Sequence, residues 1–237
     1  MTTDDALPAL LRDLLAPGTP ANPALDRILA DYAAYHLVFV VLAGALVLAL
    51  LGVGGSLVIR SRRMWDAANA VPPVARRTSL GLGLGCVGIA ALFAVLVAAN
   101  TGNALEPRAG FGGAVGEISP STAGTTRAAE HDAFVGWLRS GDERLPAPVR
   151  AAVERRVAWQ APKALGSALL LGVSGWLTAR LWRRLVRRPG PGRVRLRRGA
   201  GLSAAMASSG VTLVLMAATI GNTQGALAPL AATLLYG

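Results

Sequence analysis

The chain has 237 residues, of which 53% are hydrophobic and only 16% charged, and it carries a net charge of +11. A soluble domain normally has about 25% charged residues, so the composition excludes an ordinary soluble fold and predicts an all-α polytopic membrane protein. The single cysteine, Cys86, excludes an intramolecular disulfide, a thiol metal site and a dithiol redox pair.

The N-terminal 31 residues are net acidic and do not have the build of a signal peptide. Leu7, Leu10, Leu11, Leu14 and Leu15 recur at helical spacing opposite Asp4, Asp5, Arg12 and Asp13, which predicts a short amphipathic helix. Pro17-Gly18-Thr19-Pro20 ends it. A second helical segment starts near Pro23 and runs through Leu25, Ile28 and Leu29 toward the first apolar run.

That run, Leu37 to Ile59, holds no charge and exceeds the roughly 20 residues that a helix needs to cross a bilayer. Tyr32 and Tyr35 stand where an interfacial aromatic belt is expected. Ala45, Ala49, Gly52 and Ser56 form one strip of small side chains, the pattern by which helices approach closely in lipid. A basic hairpin, Arg60 to Thr78, leads to the second span, Leu80 to Ala99, with a further strip at Gly81, Gly85 and Gly88. The Gly-x-Gly-x-x-Gly spacing there is not a dinucleotide loop, since no strand precedes it.

Residues 101–161 are the only long polar region. Their glycine-rich first half reads as loop. Two amphipathic helices follow, about Ala128 to Leu138 with Phe134, Trp137 and Leu138 on one face, and from about Pro148 with Val149, Val153 and Val157 on another. About 30 helical residues cannot enclose a core alone, so these helices are expected to cap the bundle or pack on the N-terminal helix. Ala164 to Ala179 is the third span, with Pro162 in its first turn and a strip at Ala168, Gly172 and Gly175. An arginine-rich loop precedes the fourth span, Leu202 to Gly221. The apolar stretch Ala226 to Tyr236 is too short to cross, which leaves an interfacial tail or a re-entrant segment.

Asn100-Thr101-Gly102-Asn103-Ala104-Leu105-Glu106-Pro107 is echoed by Asn222-Thr223-Gln224-Gly225-Ala226-Leu227-Ala228-Pro229, and the same register pairs Gly44 with Gly166, Arg62 with Arg184 and Gly88 with Gly210. Repetition at a fixed offset predicts two tandem two-helix repeats. The expected organisation is an N-terminal segment 1–31, a first hairpin 32–107, a polar loop 108–161 and a second hairpin with its tail 162–237. Asn100 and Asn222 are expected to cap their helices in the left-handed conformation. The alternative is a polar vestibule formed by Asn100, Asn103, Glu106, Asn222 and Gln224.

Arginine is concentrated in the two short loops, and the positive-inside rule makes their side cytoplasmic. Both termini and the 101–161 region are then extracytoplasmic, in a bacterial plasma membrane, the GC-rich arginine bias being the hint of source. Arg183, Arg184, Arg187, Arg188, Arg195, Arg197 and Arg198 fit contact with anionic lipid or an acidic partner rather than nucleic acid.

No ionisable residue lies within a span, which disfavours a proton-coupled carrier. Ser208, Ser209, Thr212 and Thr219 would either line a channel or bond helix to helix. Glu130-His131-Asp132 matches no familiar metal spacing, and no catalytic motif, cofactor or metal site is expected. The leading expectation is a non-catalytic membrane protein acting by assembly, with itself as a homo-oligomer or as an accessory subunit of an envelope complex. A homo-oligomeric channel or permease for a small neutral or anionic solute is the alternative. An outer-leaflet enzyme stands third.

Overall fold

A computed structural model describes residues 6–66, 73–118, 124–187 and 195–236. The chain runs through α1 (Ala6–Leu15), α2 (Pro23–Asp66), α3 (Pro73–Leu105), α4 (Pro107–Ala114), a 3-10 turn (Val115–Glu117), α5 (Thr126–Ser140), α6 (Ala147–Arg187), α7 (Arg195–Leu227) and α8 (Pro229–Tyr236). No strand occurs among the described residues. Four helices are long and apolar enough to cross a membrane, within Pro23–Asp66, Arg76–Leu105, Ala147–Leu185 and Ala200–Leu227. This is a multi-pass membrane protein.

The helices outrun the spans expected of them. With 44 residues, α2 is about 66 Å long at 1.5 Å per residue, twice the hydrocarbon layer, so it carries Pro23–His36 as well as the uncharged Leu37–Ile59. Pro162, expected in a first turn, lies inside α6. Proline there removes the bond to the carbonyl of Ala158, yet the flanking alanine-rich turns keep the helix continuous.

Three further expectations are corrected. Asn100 and Asn222 do not cap, because α3 and α7 continue to Leu105 and Leu227. The break falls at the prolines Pro107 and Pro229, which cannot donate a backbone hydrogen bond. Residues 107–114, which composition suggested were loop, are helical, and Gly110 is needed there: a Cβ on it would lie 2.7 Å from Asn103 Oδ1. The C-terminal stretch is a packed helix rather than a free tail. Leu230 to Leu235 of α8 are all buried, with Leu230, Ala231, Leu234 and Leu235 in a hydrophobic core.

The chain divides into two compact units. The first comprises Met1–Val40, Ala98–Ala164 and Gly221–Gly237. Its core joins Leu7 and Leu11 of α1, Leu25, Ile28 and Tyr32 of α2, Phe111 and Val115, Phe134, Trp137 and Leu138 of α5, Val149 of α6, and α8. The amphipathic faces predicted on the N-terminal helix and in the 101–161 region therefore bury one another, as the hydrophobic effect requires of helices too short to be stable alone. Polar ends are tied locally. Thr125 caps α5, Gly141 closes it in the left-handed region at φ 65°, and Arg108 donates to the carbonyl of Leu14 at 2.8 Å, at the C-terminus of α1.

The second unit comprises Val41–Val97 and Leu165–Ile220. In it α2 meets α3 at Gly54 and Gly83, where a Cβ on either would approach the other's carbonyl to 2.9 or 3.0 Å. Ser79 Oγ donates to Leu57 O and Ser61 Oγ to Arg76 O, each at 3.1 Å. The α6/α7 seam is held instead by hydroxyls. Thr178 Oγ1 lies 2.6 Å from Ser208 Oγ, Ser174 Oγ lies 2.9 Å from Thr212 Oγ1, and Trp182 Nε1 donates to Ser209 Oγ at 3.0 Å.

Candidate functional site

Within the first unit, α2, α3, α4 and α8 enclose a cavity of about 270 Å³. Helical spacing puts Tyr32, Tyr35 and His36 on one side of it. Asn103 enters from the last turns of α3, Glu117 from the 3-10 turn, and Tyr236 from α8. The walls contain one ionisable acid and no lysine or arginine.

Each wall residue is positioned by a specific contact. His36 Nδ1 lies 2.7 Å from Asn100 Oδ1. A carboxamide oxygen only accepts, so the ring proton sits on Nδ1 and Nε2 keeps its lone pair. Tyr32 stands edge-on to His36 at 4.4 Å between centroids and to Phe111 at 5.4 Å, arrangements that aromatic quadrupoles favour. Gln224 Nε2 donates to the Tyr35 carbonyl at 3.0 Å. Asp31 Oδ2 accepts from the Ala231 backbone N–H at 2.8 Å and so holds the first turn of α8, from which Tyr236 extends.

Tyr32 is buried as a residue, though its hydroxyl is not sealed from solvent, and among the described residues no hydrogen bond reaches that hydroxyl or those of Tyr35 and Tyr236. Burial raises the Tyr32 pKa, and Tyr236, Glu117 and Tyr35 add to the shift. The phenol therefore stays protonated among electron-rich neighbours. Burial likewise raises Asp31, opposed by the backbone N–H groups of Ala231 and Leu230 and by Arg27.

No protein-family model, curated protein or solved structure matches the chain. The site is accordingly read from its own chemistry.

Of the residues considered for a vestibule, Asn100, Asn103 and Gln224 gather around Tyr35 and His36, whereas Glu106 is exposed beside Pro107 and Arg108. Asn222 lies on α7 and is not among the residues that line the cavity. The Glu130-His131-Asp132 trio diverges: Glu130 pairs with Arg155, His131 is buried, and Asp132 is exposed. No group of metal-binding residues occurs among those described. Arg183 and Arg184 are exposed. Arg188 lies outside the described residues, as do the side chains of Arg187, Arg195, Arg197 and Arg198.

The small-residue strips do not form the seams within the chain. Ala45, Ala49, Gly52, Ser56, Gly81, Gly85, Gly88, Ala168 and Gly172 are all exposed, and Gly175 is partly so. A Cβ added at Gly52, Gly81, Gly85, Gly88, Gly172 or Gly175 would meet nothing. Sequence reasoning missed the cavity because its walls come from four separated helices. The one available signal was the clustering of Tyr32, Tyr35 and His36 ahead of an uncharged span.

Proposed function

We propose that this chain is a non-catalytic integral protein of a bacterial plasma membrane that acts by assembly, with further copies of itself or as an accessory subunit of an envelope complex. The observation that carries this reading is the exposure of the small-residue strips. Lipid favours no particular side chain on an outer face, whereas a second helix packs closely against Gly and Ala. The spans are also thinly covered. At most 11% of each most apolar window is buried, against the stripe of about 100° that a helix buries in a complete bundle.

A tandem duplication underlies the architecture. A shift of 122 residues carries Pro73–Leu105 onto Arg195–Leu227 and Pro107–Ala114 onto Pro229–Tyr236, so that Leu105 and Leu227 end one helix and Pro107 and Pro229 begin the next. The repeat is then larger than a hairpin, since it includes the short helix after each one, and α1 and α5 stand in comparable places. Arginines of the short loops face the cytoplasm and attract anionic lipid, and the first unit forms an extracytoplasmic cap. The channel alternative is less well supported, because Ser208, Ser209 and Thr212 are engaged between α6 and α7.

The test is disulfide trapping in membranes. In a Cys86→Ala background, cysteine at Gly85 or Gly172 should give cross-linked dimers on oxidation, or a fixed adduct with a co-purifying envelope protein, while cysteine at Leu84 should not. Equal trapping at all three positions would refute assembly through the strips. Labelling of Arg144→Cys and Gly190→Cys from the same side would overturn the orientation.

A further inference from the structure

We infer that the cavity of the first unit is a binding site for an organic ammonium group. The inference is independent of the assembly reading, which concerns the spans.

Three features of the cavity converge on that chemistry. The first is charge: Glu117 is the only carboxylic acid in the wall, and no lysine or arginine lines it, the Arg156 guanidinium acting on Tyr35 and Tyr236 from outside. The second is the aromatic wall. Tyr32, Tyr35 and Tyr236 line one volume, and ring faces attract cations electrostatically. The third is the surplus of acceptors. With its Nδ1 proton directed at Asn100 Oδ1, His36 retains an Nε2 lone pair, and the three phenolic oxygens make no hydrogen bond among the described residues. Tyr32 contributes a hydroxyl that is not sealed from solvent and makes no hydrogen bond among the described residues, so it is available to a guest in the cavity whose wall it forms.

An anion would meet a carboxylic acid in the wall and no cation among the lining residues. A neutral sugar would satisfy hydroxyls but would gain nothing from Glu117. A volume of about 270 Å³ sits near the lower end of small-ligand pockets, and suits a headgroup-sized amine. The amine can be free in solution or carried on an aminated phospholipid, since both present the same cation.

The duplication sharpens the assignment. Under the 122-residue shift, Asn103 and Gly110 correspond to Gly225 and Ala232, so the first copy's pocket chemistry is not repeated in the second. Gly225 packs instead on Gln160. One ammonium per chain is therefore expected.

The experiment uses the full chain in two arms. In detergent, isothermal titration with ethanolamine and with choline is compared with 3,3-dimethylbutanol, the uncharged isostere of choline. In nanodiscs of mixed phosphatidylethanolamine and phosphatidylglycerol, native mass spectrometry reads which lipid remains bound on release. A soluble ligand appears as saturable binding in the first arm, and a lipid ligand as retained phosphatidylethanolamine in the second. In whichever arm binding occurs, Glu117→Gln and Tyr236→Leu should each weaken it at least tenfold. Both residues are exposed, so the melting transition should not move. The isostere should bind at least tenfold more weakly than choline. The inference is overturned if both arms are silent, if the isostere matches choline, if phosphatidylglycerol is the lipid retained, or if Glu117→Gln binds like the parent.

Discussion

Gly54 and Gly83 face each other across the α2/α3 seam so closely that neither tolerates a side chain. A Cβ on Gly83 would lie 2.8 Å from Val58 Cγ2 and 3.0 Å from the Gly54 carbonyl, and one on Gly54 would lie 2.9 Å from the Gly83 carbonyl. Val58 can rotate, but the backbone cannot give way without separating the helices. Gly83→Ala should therefore destabilise the hairpin by about 1–3 kcal/mol, the usual cost of overpacking. The measurement is the unfolding transition in detergent, with Gly85→Ala as control. Gly85 has open space at its Cβ, so Gly85→Ala should leave that transition within about 0.5 kcal/mol of the parent.

Those two glycines lie two residues apart on one helix, and their difference shows what a sequence reveals of a membrane protein. Apolar runs without charge mark the spans because the bilayer penalises every exception, so four crossings were legible. Periodicity in α1 and α5 was equally plain, as was the register that repeats Asn100 at Asn222. Which stripe of a span meets its neighbour was not legible, because lipid and protein present similar apolar surroundings and both accept leucine. The strips with the more regular spacing turned outward, and the seam formed at Gly54 and Gly83. In the 107–114 stretch, glycine content suggested a loop. Pro107 nucleates a helix there, and Gly110 is kept small by Asn103 rather than by any turn. The cavity escaped for a related reason: Tyr236 and Tyr32 are two hundred residues apart in the chain, and α8 brings them together only by burying what looked like a tail.

The outward strips separate two kinds of stability. Gly172→Leu fills space that is empty within the chain and should not change unfolding of the monomer. It should shift the oligomer distribution toward monomer by at least tenfold in dissociation constant, read by light scattering across a dilution series in detergent. Unchanged oligomers would place the contact on another face.

The hydroxyl seam of α6 and α7 predicts a smaller effect. Thr178 Oγ1 is shared between Ser208 at 2.6 Å and Thr212 at 3.0 Å. Thr178→Val keeps the shape and removes both bonds. Interhelical hydrogen bonds in lipid average about 0.6 kcal/mol and reach about 1.7, so a loss of roughly 1 kcal/mol is expected in the same unfolding assay. Among the described residues Thr219 bonds only within its own helix, to Leu215 O at 2.7 Å, and Thr219→Val should be neutral.

Asp31 yields a prediction whose sign depends on pH. Its carboxylate holds the α8 N-terminus through Ala231, while burial, the largest influence on it, raises its pKa above the ordinary 3.8 despite the backbone N–H groups and Arg27. A raised acid binds its proton more readily in the folded state, so its contribution to stability is greatest below the unfolded value and is lost as pH rises through the folded one. Asn at this position keeps an oxygen acceptor but cannot titrate. The stability of the parent relative to Asp31→Asn should therefore fall as pH rises from the ordinary value of 3.8 through the raised folded one, then level off. Asp31→Ala removes the acceptor altogether and should be less stable than Asp31→Asn by about 1 kcal/mol at every pH. Hydrogen exchange of the Leu230–Tyr236 amides, followed by mass spectrometry, reads both effects where they act. Exchange protection that instead rises with pH relative to Asp31→Asn would mean that the N–H groups of α8 outweigh burial, and that the carboxylate is held ionised.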